Sequence, residues 1–276
     1  MELTLPVTLA VLGGALLHAS WNAIVKASAD KQLDAIANSI GSGAISIAVA
    51  LWLPAPSLAS LPWIAGSMAV HVLYYRFLAG AYRWGDLSYT YPVMRGGGPM
   101  LVALASTLLF AEALAAQHWA GVLIICGGVL ALAHGAHDPR ATAFAAANAV
   151  VIAAYTLIDA TGARASDAPL SYALWLCAGN GLVNAAIGFA QRGAELPAYV
   201  RARWLRALLG GACSMASYAI ALWAMTRAPV ALVAVLRETS VIFAALLGAL
   251  FLRERMTRRR LVATGAVLAG LVVLKL

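Results

Sequence analysis

The chain has 276 residues, of which 63% are hydrophobic and 11% are charged, and its formal net charge is +8. Soluble domains carry about 25% charged residues, and a soluble chain of this size needs polar groups over its surface, so the composition argues against a soluble globular protein. The basic residues stand in short gaps between apolar runs, which argues against nucleic-acid binding and indicates loop charges that orient a membrane protein.

Ten apolar segments are long enough to cross a bilayer as helices, which takes roughly 20 mostly apolar residues. In chain order they are 3–25, 34–53, 61–82, 87–110, 116–134, 141–162, 168–190, 204–226, 229–252 and 259–276. Barrel strands would alternate apolar and polar residues, whereas these segments are continuously apolar. The sequence therefore predicts an all-α integral membrane protein with ten transmembrane helices.

Segment one carries a polar line, because His18 and Asn22 are four residues apart and Trp21 lies beside them. A polar stripe on an apolar helix faces a cavity or another helix. We predict that His18, Trp21 and Asn22 contact a substrate. A packing role for the histidine is the alternative.

Segment four contains Arg95, about eight residues from its start. An arginine at the centre of a transmembrane helix costs roughly 2.5–3.5 kcal/mol, so it normally faces a partner or a wet cavity. Pro92, Pro99 and three glycines bracket it, and these residues disfavour a regular helix. We therefore expect an interrupted helix here, with backbone groups exposed to a substrate.

Aromatic residues lie on several of the segments, including Tyr75, Tyr91 and Tyr218. Lining a cavity, they would suit an organic or cationic ligand, and we predict them as substrate contacts. Many tyrosines in membrane proteins are interface anchors instead.

Segment six contains Asp159, which shares a helical face with Tyr155, Ile152 and Asn148. We predict that Asp159 and Tyr155 face the cavity, and that Asp159 binds a substrate amine or carries a proton. A solvated position near the helix end is the alternative for Asp159.

Segment nine contains Arg237 and Glu238. The two arginines, Arg95 and Arg237, would hold a negative group, while Glu238 or Asp159 would hold an amine or a proton. The structural alternative is an internal pair, either Arg237 with Glu238 or Arg95 with an acid, together with close glycine packing.

An internal repeat relates the two halves of the chain, residues 1–135 and 136–276. A shift of 142 positions lays segments three to five on segments eight to ten without a gap, and matches Arg95 with Arg237, Glu112 with Glu254, and Gly128 with Gly270. Each half has five segments, an odd number, so the second half is expected to be inverted in the membrane. Such inverted repeats favour a shared midplane site that opens alternately to each side.

The chain resembles the EamA-like family of the drug/metabolite transporter superfamily. The residues that carry the resemblance are Leu16–Asn22, Leu108–Glu112, Gly121 to Gly128, Ala249–Glu254, and Gly265 to Gly270. The resemblance implies the ten-helix fold and a transport function, with substrates that range over amino acids, sugars, nucleotides and drugs. Small multidrug relatives use a glutamate in their first helix. This chain has His18 there, so that proton-coupling scheme is not carried over.

No GxxxxGK[ST], HExxH or GxSxG pattern occurs in the chain, which argues against ATP-driven pumping and hydrolase chemistry. Cys126, Cys177 and Cys213 lie inside apolar segments with no metal spacing. We predict no enzyme activity, no cofactor and no metal.

The charges of the loops predict an orientation. Arg76, Arg95 and Arg237 lie inside segments and are left aside. Of the other basic residues, thirteen fall on one side and three fall on the side of both termini, namely Arg164, Arg227 and Lys275. The positive-inside rule then places both termini outside, whereas the resembled family implies termini inside.

The sequence as a whole predicts a multi-pass secondary transporter of an inner membrane. It would export a small polar metabolite, such as an amino acid or a small organic anion, by alternating access. Protons are the candidate coupling ion, with Asp159 and Glu238 as carriers, and a monomer is favoured. The alternatives are an exporter of cationic or aromatic compounds, and a membrane scaffold or enzyme without transport.

Overall fold

The computed structural model describes residues 2–135, 138–251 and 256–275, and within these ranges the chain is helical, with no strand. The helices are α1 (Leu5–Lys26), α2 (Lys31–Ala50), α3 (Leu61–Trp84), α4 (Leu87–Leu109), α5 (Ala116–Leu130), α6 (Pro139–Ala165), α7 (Pro169–Arg192), α8 (Glu195–Ala202), α9 (Trp204–Met225), α10 (Val230–Leu236), α11 (Ser240–Phe251) and α12 (Arg258–Lys275). Short 3-10 turns occur at Leu58–Ser60 and Arg237–Thr239.

Every predicted segment coincides with a helix, if α10 and α11 are taken with the turn between them as one; the shortest is α5, with 15 residues. Six of these helices are long and apolar enough to cross a membrane: α1, α2, α6, α7, α9 and the combined Val230–Phe251. The short helix α8 was not predicted. Glu254, the predicted repeat partner of Glu112, lies outside the described residues, as do Arg253 and Arg255.

The predicted interruption around Arg95 is wrong, because α4 is one continuous helix with Pro92 and Pro99 inside it. Close packing accounts for this. A Cβ atom on Gly96 would come within 2.6 Å of Leu130 Cγ and 2.9 Å of the carbonyl oxygen of Cys126. The glycines therefore let α4 lie directly against α5, and this contact offsets the weak helix propensity of the segment.

The interruption occurs at the corresponding place in the second half of the chain. Helix α10 ends at Leu236, the 3-10 turn Arg237–Thr239 follows, and α11 begins at Ser240. All seven residues of α10 are buried. The buried helix therefore places Arg237 and Glu238 in the interior of the bundle.

Glycine contacts bring other helices close together. A Cβ on Gly181 of α7 would lie 2.8 Å from Gly43 Cα of α2, while Gly121 of α5 and Gly270 of α12 approach in the same manner. Small residues at such crossings are typical of membrane helices, which associate by close van der Waals packing.

Candidate functional site

A buried ion pair joins α4 to the 3-10 turn. Arg95 Nη2 lies 2.9 Å from Glu238 Oε1, and the two side chains are 14% and 2% exposed. Arg95 Nε and Glu238 Oε2 are buried, and they make no hydrogen bond within the described part of the chain. Buried polar atoms without a partner are uncommon in proteins, so the pair retains unused capacity to bind a polar group.

A small cavity of about 10 Å³ borders this pair. That volume holds about one water molecule, so an organic substrate has no room in the cavity. The cavity is lined by side chains of α4, α6, α10 and the 3-10 turn: Met94, Arg95, Pro99, Val102, Ile152, Tyr155, Thr156, Ala234, Arg237 and Glu238.

Arg237 is the second cation at the cavity. Its guanidinium carbon lies 5.6 Å from the ring centre of Tyr218, a cation–π contact. No ion pair of Arg237 with a carboxylate is found in the described ranges. Of the two internal pairs considered from the sequence, Arg95 with an acid is formed, and Arg237 with Glu238 is not.

Asp159 is fully buried in α6, so a solvated position near the helix end, one of its two predicted readings, is wrong. Its carboxylate accepts hydrogen bonds from the hydroxyl groups of Tyr172, at 3.0 Å, and of Tyr218. Tyr218 therefore contacts Asp159 through its hydroxyl group and Arg237 through its ring. This arrangement connects the buried acid to the cation at the cavity.

An aromatic cluster continues from the cavity wall. The ring of Tyr155 lies 4.4 Å from that of His71 and 6.0 Å from that of Tyr74. Tyr75 lies beside Tyr74, and its hydroxyl oxygen accepts a 3.0 Å hydrogen bond from Asn184. Tyr155 thus lines the cavity, whereas Tyr75 does not line it and is 39% exposed.

The predicted contacts on α1 and at the start of α4 do not line the cavity; they are His18, Trp21, Asn22 and Tyr91. Tyr91 lies on α4 about one helical turn before Arg95, which does line it. Trp21 Nε1 donates to His18 Nδ1 at 3.3 Å, and Asn22 Nδ2 donates to the His18 carbonyl oxygen at 2.8 Å. The indole of Trp21 therefore contacts the imidazole of His18, whereas the Asn22 amide contacts only the backbone of its own helix. Neither side chain forms a hydrogen bond to another described helix.

Sequence reasoning missed Tyr172. It lies near the start of α7, where tyrosines commonly anchor a helix at the membrane interface, so its position gave no signal of a buried partner. The side chain is nevertheless fully buried against Asp159.

A second network lies at one end of the bundle, away from the cavity. Glu112 forms a 2.8 Å ion pair with Arg164 and accepts a 2.9 Å hydrogen bond from the backbone N–H of Val230. Arg164 also donates to the carbonyl oxygen of Met225 at 2.9 Å. Glu112 therefore connects the segment after α4 to α6 and to the start of α10. Its partner Arg164 had been counted only as a loop charge.

Residues 140–276 match the sequence model of the EamA-like transporter family. A solved crystal structure of another protein has a similar fold, with a TM-score of 0.75 over 97% of this chain and 96% of that chain. The two sequences are 23% identical, so this likeness concerns the fold alone. No curated protein matches the chain.

The family match confirms the resemblance predicted from the sequence. Together with the six membrane-length helices of the described chain, it supports a multi-pass membrane protein of the drug/metabolite transporter type. Such transporters move small molecules within a lipid environment and are generally not enzymes.

Proposed function

We propose that this EamA-like chain is a secondary transporter that exports a small zwitterionic or anionic metabolite by alternating access. Arg95 and Arg237 bind the negative group of the substrate, and Glu238 binds its amine. The observation that carries the proposal is the meeting of these three side chains at one buried cavity, where Arg95 Nε and Glu238 Oε2 have no hydrogen-bond partner among the described residues.

In the proposed transport cycle, the conformation with the water-sized cavity is the closed one, and it opens at the Arg95–Glu238 pair. A zwitterion can replace both halves of this pair, because its carboxylate takes the place of Glu238 beside Arg95 while its amine takes the place of Arg95 beside Glu238. Arg237, which borders the cavity without a carboxylate partner in the described ranges, supplies a further charge-assisted hydrogen bond. The substrate therefore leaves no buried charge without a counter-ion.

The packing of the helices supports two inverted repeats, residues 1–135 and 136–276, with all ten long helices crossing the membrane. The proposed two-fold relation makes α6 the counterpart of α1, and α9 the counterpart of α3. Helix α3 packs against α6, and the corresponding pair, α9 and α1, is also in contact. Helix α4 packs against α6, and the corresponding pair, α11 and α1, is in contact as well. The site between the halves is where rocking of one repeat against the other opens it to alternate sides.

Transport by the full-length chain in liposomes tests the substrate site. Labelled alanine and a labelled organic acid are measured in counterflow, with Arg237→Gln as the variant and Arg227→Gln as its control. Arg227 also lies over an aromatic ring of α9, that of Trp223, but it does not line the cavity. A hydrogen bond to a charged group contributes about 1.5–3 kcal/mol, so Arg237→Gln should reduce exchange at low substrate concentration roughly 10- to 100-fold.

Unchanged counterflow in Arg237→Gln would remove the substrate site proposed for the arginines. The second candidate, export of cationic or aromatic compounds, is favoured by the aromatic cluster of His71, Tyr74 and Tyr155. Exchange restricted to aromatic cations and insensitive to Arg237→Gln would support that candidate instead.

Protons are the proposed coupling ion, with Asp159 or Glu238 as the carrier. The Asp159→Asn variant keeps the size of the side chain and removes its titration. We expect it to retain counterflow and to lose accumulation driven by a pH gradient. Accumulation equal to that of the unchanged protein would leave Glu238 as the carrier to test.

The proposed location is an inner membrane, in which the chain acts as a monomer. The loop charges place the termini outside and the family resemblance places them inside. Labelling of a terminal tag in intact spheroplasts decides between the two orientations.

A further inference from the structure

A groove opens on the outer surface of the bundle where α1, α9 and α11 meet. Its volume is about 780 Å³, within the range of small-molecule sites. Its apolar wall consists of Ile24, Leu205, Leu209, Leu247 and Phe251, and its other lining residues include Arg203, Trp204 and Arg206.

The apolar wall is open to the surroundings of the bundle. Leu205, Leu209 and Phe251 are 53%, 55% and 76% exposed, and no other part of the described chain covers them. All three helices of the groove belong to the six that are apolar and long enough to cross a membrane. The surroundings of the wall are therefore acyl chains rather than water.

The groove is basic where the helices end. Arg206 is neutralised, since its Nε atom lies 2.9 Å from Asp34 Oδ2. The charge of Arg203 is not neutralised. Its guanidinium carbon lies 4.8 Å from the ring centre of Tyr199, and it has no carboxylate partner within the described ranges. Among the described residues, Arg203 therefore places an uncompensated positive charge at the mouth of the apolar groove.

Trp204 gives the depth of this basic end in the membrane. The residue is 59% exposed at the start of α9, and tryptophan is enriched at the level of the lipid headgroups in membrane proteins. Arg203, its neighbour in the chain, is then at the depth of the lipid phosphates. The charge and the apolar wall together match an anionic amphiphile.

We infer that this groove binds one anionic phospholipid, whose phosphate contacts Arg203 and whose acyl chain lies along Leu209 and Leu247. A free anion would leave the apolar wall unused. A zwitterionic phospholipid would bring its own cation close to Arg203. The inference rests on the groove alone and is independent of the transported substrate.

Native mass spectrometry of the delipidated full-length chain tests the inference. The probes are dioleoylphosphatidylglycerol and dioleoylphosphatidylcholine, which have the same acyl chains and are added in equal amounts. One arginine near the membrane surface contributes about 1 kcal/mol toward anionic lipid, so we expect about a fivefold preference for phosphatidylglycerol. Arg203→Gln should remove the preference.

Arg201→Gln is the matched control, because Arg201 is exposed on α8 and does not line the groove. It removes the same charge and should leave the preference intact. Leu209→Trp, which fills the groove, should reduce binding of both lipids. Melting temperatures of the lipid-free variants show whether each one is folded.

Three results would overturn the inference: equal binding of the two lipids, an equal loss of preference in Arg201→Gln and Arg203→Gln, or full binding of phosphatidylglycerol by Leu209→Trp. Inorganic phosphate and glycerol phosphate form a separate arm. If either one stabilised the protein as much as phosphatidylglycerol does, the groove would be an anion site and not a lipid site.

Discussion

Removal of one member of the Arg95–Glu238 pair should destabilise the protein far more than removal of both. In Arg95→Met, the carboxylate of Glu238 loses its counter-ion in a position that is only 2% exposed. Breaking a buried ion pair from one side costs about 3–5 kcal/mol. Because the Arg95 side chain is 14% exposed and borders a cavity of water size, we expect the lower end of that range, about 3 kcal/mol.

The double variant Arg95→Met/Glu238→Gln should recover most of this loss. Replacement of a buried ion pair by neutral groups of similar volume is often close to neutral, so its stability should lie within about 1 kcal/mol of the unchanged protein. The double-mutant cycle would then give a coupling energy above about 2 kcal/mol, since the two residues are in direct contact.

Unfolding free energies in detergent, followed by circular dichroism in a denaturant titration, measure the cycle, and counterflow is measured on the same samples. We expect the double variant to be folded and inactive, which separates the contribution of the pair to stability from its contribution to transport. Additive losses in the double variant would refute the coupling. Normal transport by the stable double variant would refute the role of the pair in substrate binding.

Two further predictions concern stability. Gly181→Ala should destabilise the protein by about 1–3 kcal/mol through overpacking, because its Cβ would lie 2.8 Å from Gly43 Cα. The control is Gly13→Ala, in which no atom lies within 4 Å of the added Cβ, so it should be neutral or stabilising by up to about 1 kcal/mol. Thermal unfolding in detergent compares the two variants, and equal melting temperatures would contradict the packing argument. The pKa of Asp30 is held below its ordinary value of 3.8, first by the hydrogen bond from the backbone N–H of Leu33 and then by the ion pair with Arg192. The stabilisation by Asp30 should therefore be complete above about pH 4 and should decline as the pH falls through the lowered pKa. Asp30→Asn keeps the helix cap and should remove this part of the acid dependence of stability. Denaturation curves between about pH 2 and 6 measure the change. An identical acid dependence in the variant would show that Asp30 does not contribute.

The helices could be predicted from the sequence to within a few residues. Long apolar runs in a membrane must satisfy their backbone hydrogen bonds internally, so hydrophobicity and helix bounds are closely linked. The same reasoning singled out Arg95, Arg237 and Asp159, because ionisable groups within such runs are costly and require a partner. Arg95 and Arg237 line the buried cavity, whereas Asp159 is buried against Tyr172 and Tyr218 and does not line it.

Local propensity failed where tertiary contacts outweighed it. The prolines and glycines of segment four predicted an interrupted helix, yet Gly96 lets α4 pack directly on α5 and the helix continues. Tyr172 was missed because its partner Asp159 lies on another helix. Contacts between helices depend on how the helices cross, and the composition of a single segment does not contain that information.

The pairing of the charges was likewise decided only by the tertiary structure. Arg237 and Glu238 are adjacent in the chain, but neighbouring residues on a helical turn point in different directions and do not face each other. Glu238 instead faces Arg95 of α4, and Arg237 faces Tyr218 of α9. The sequence by itself determined that charged groups are buried in a membrane bundle, and the packing of the helices decided which of them meet.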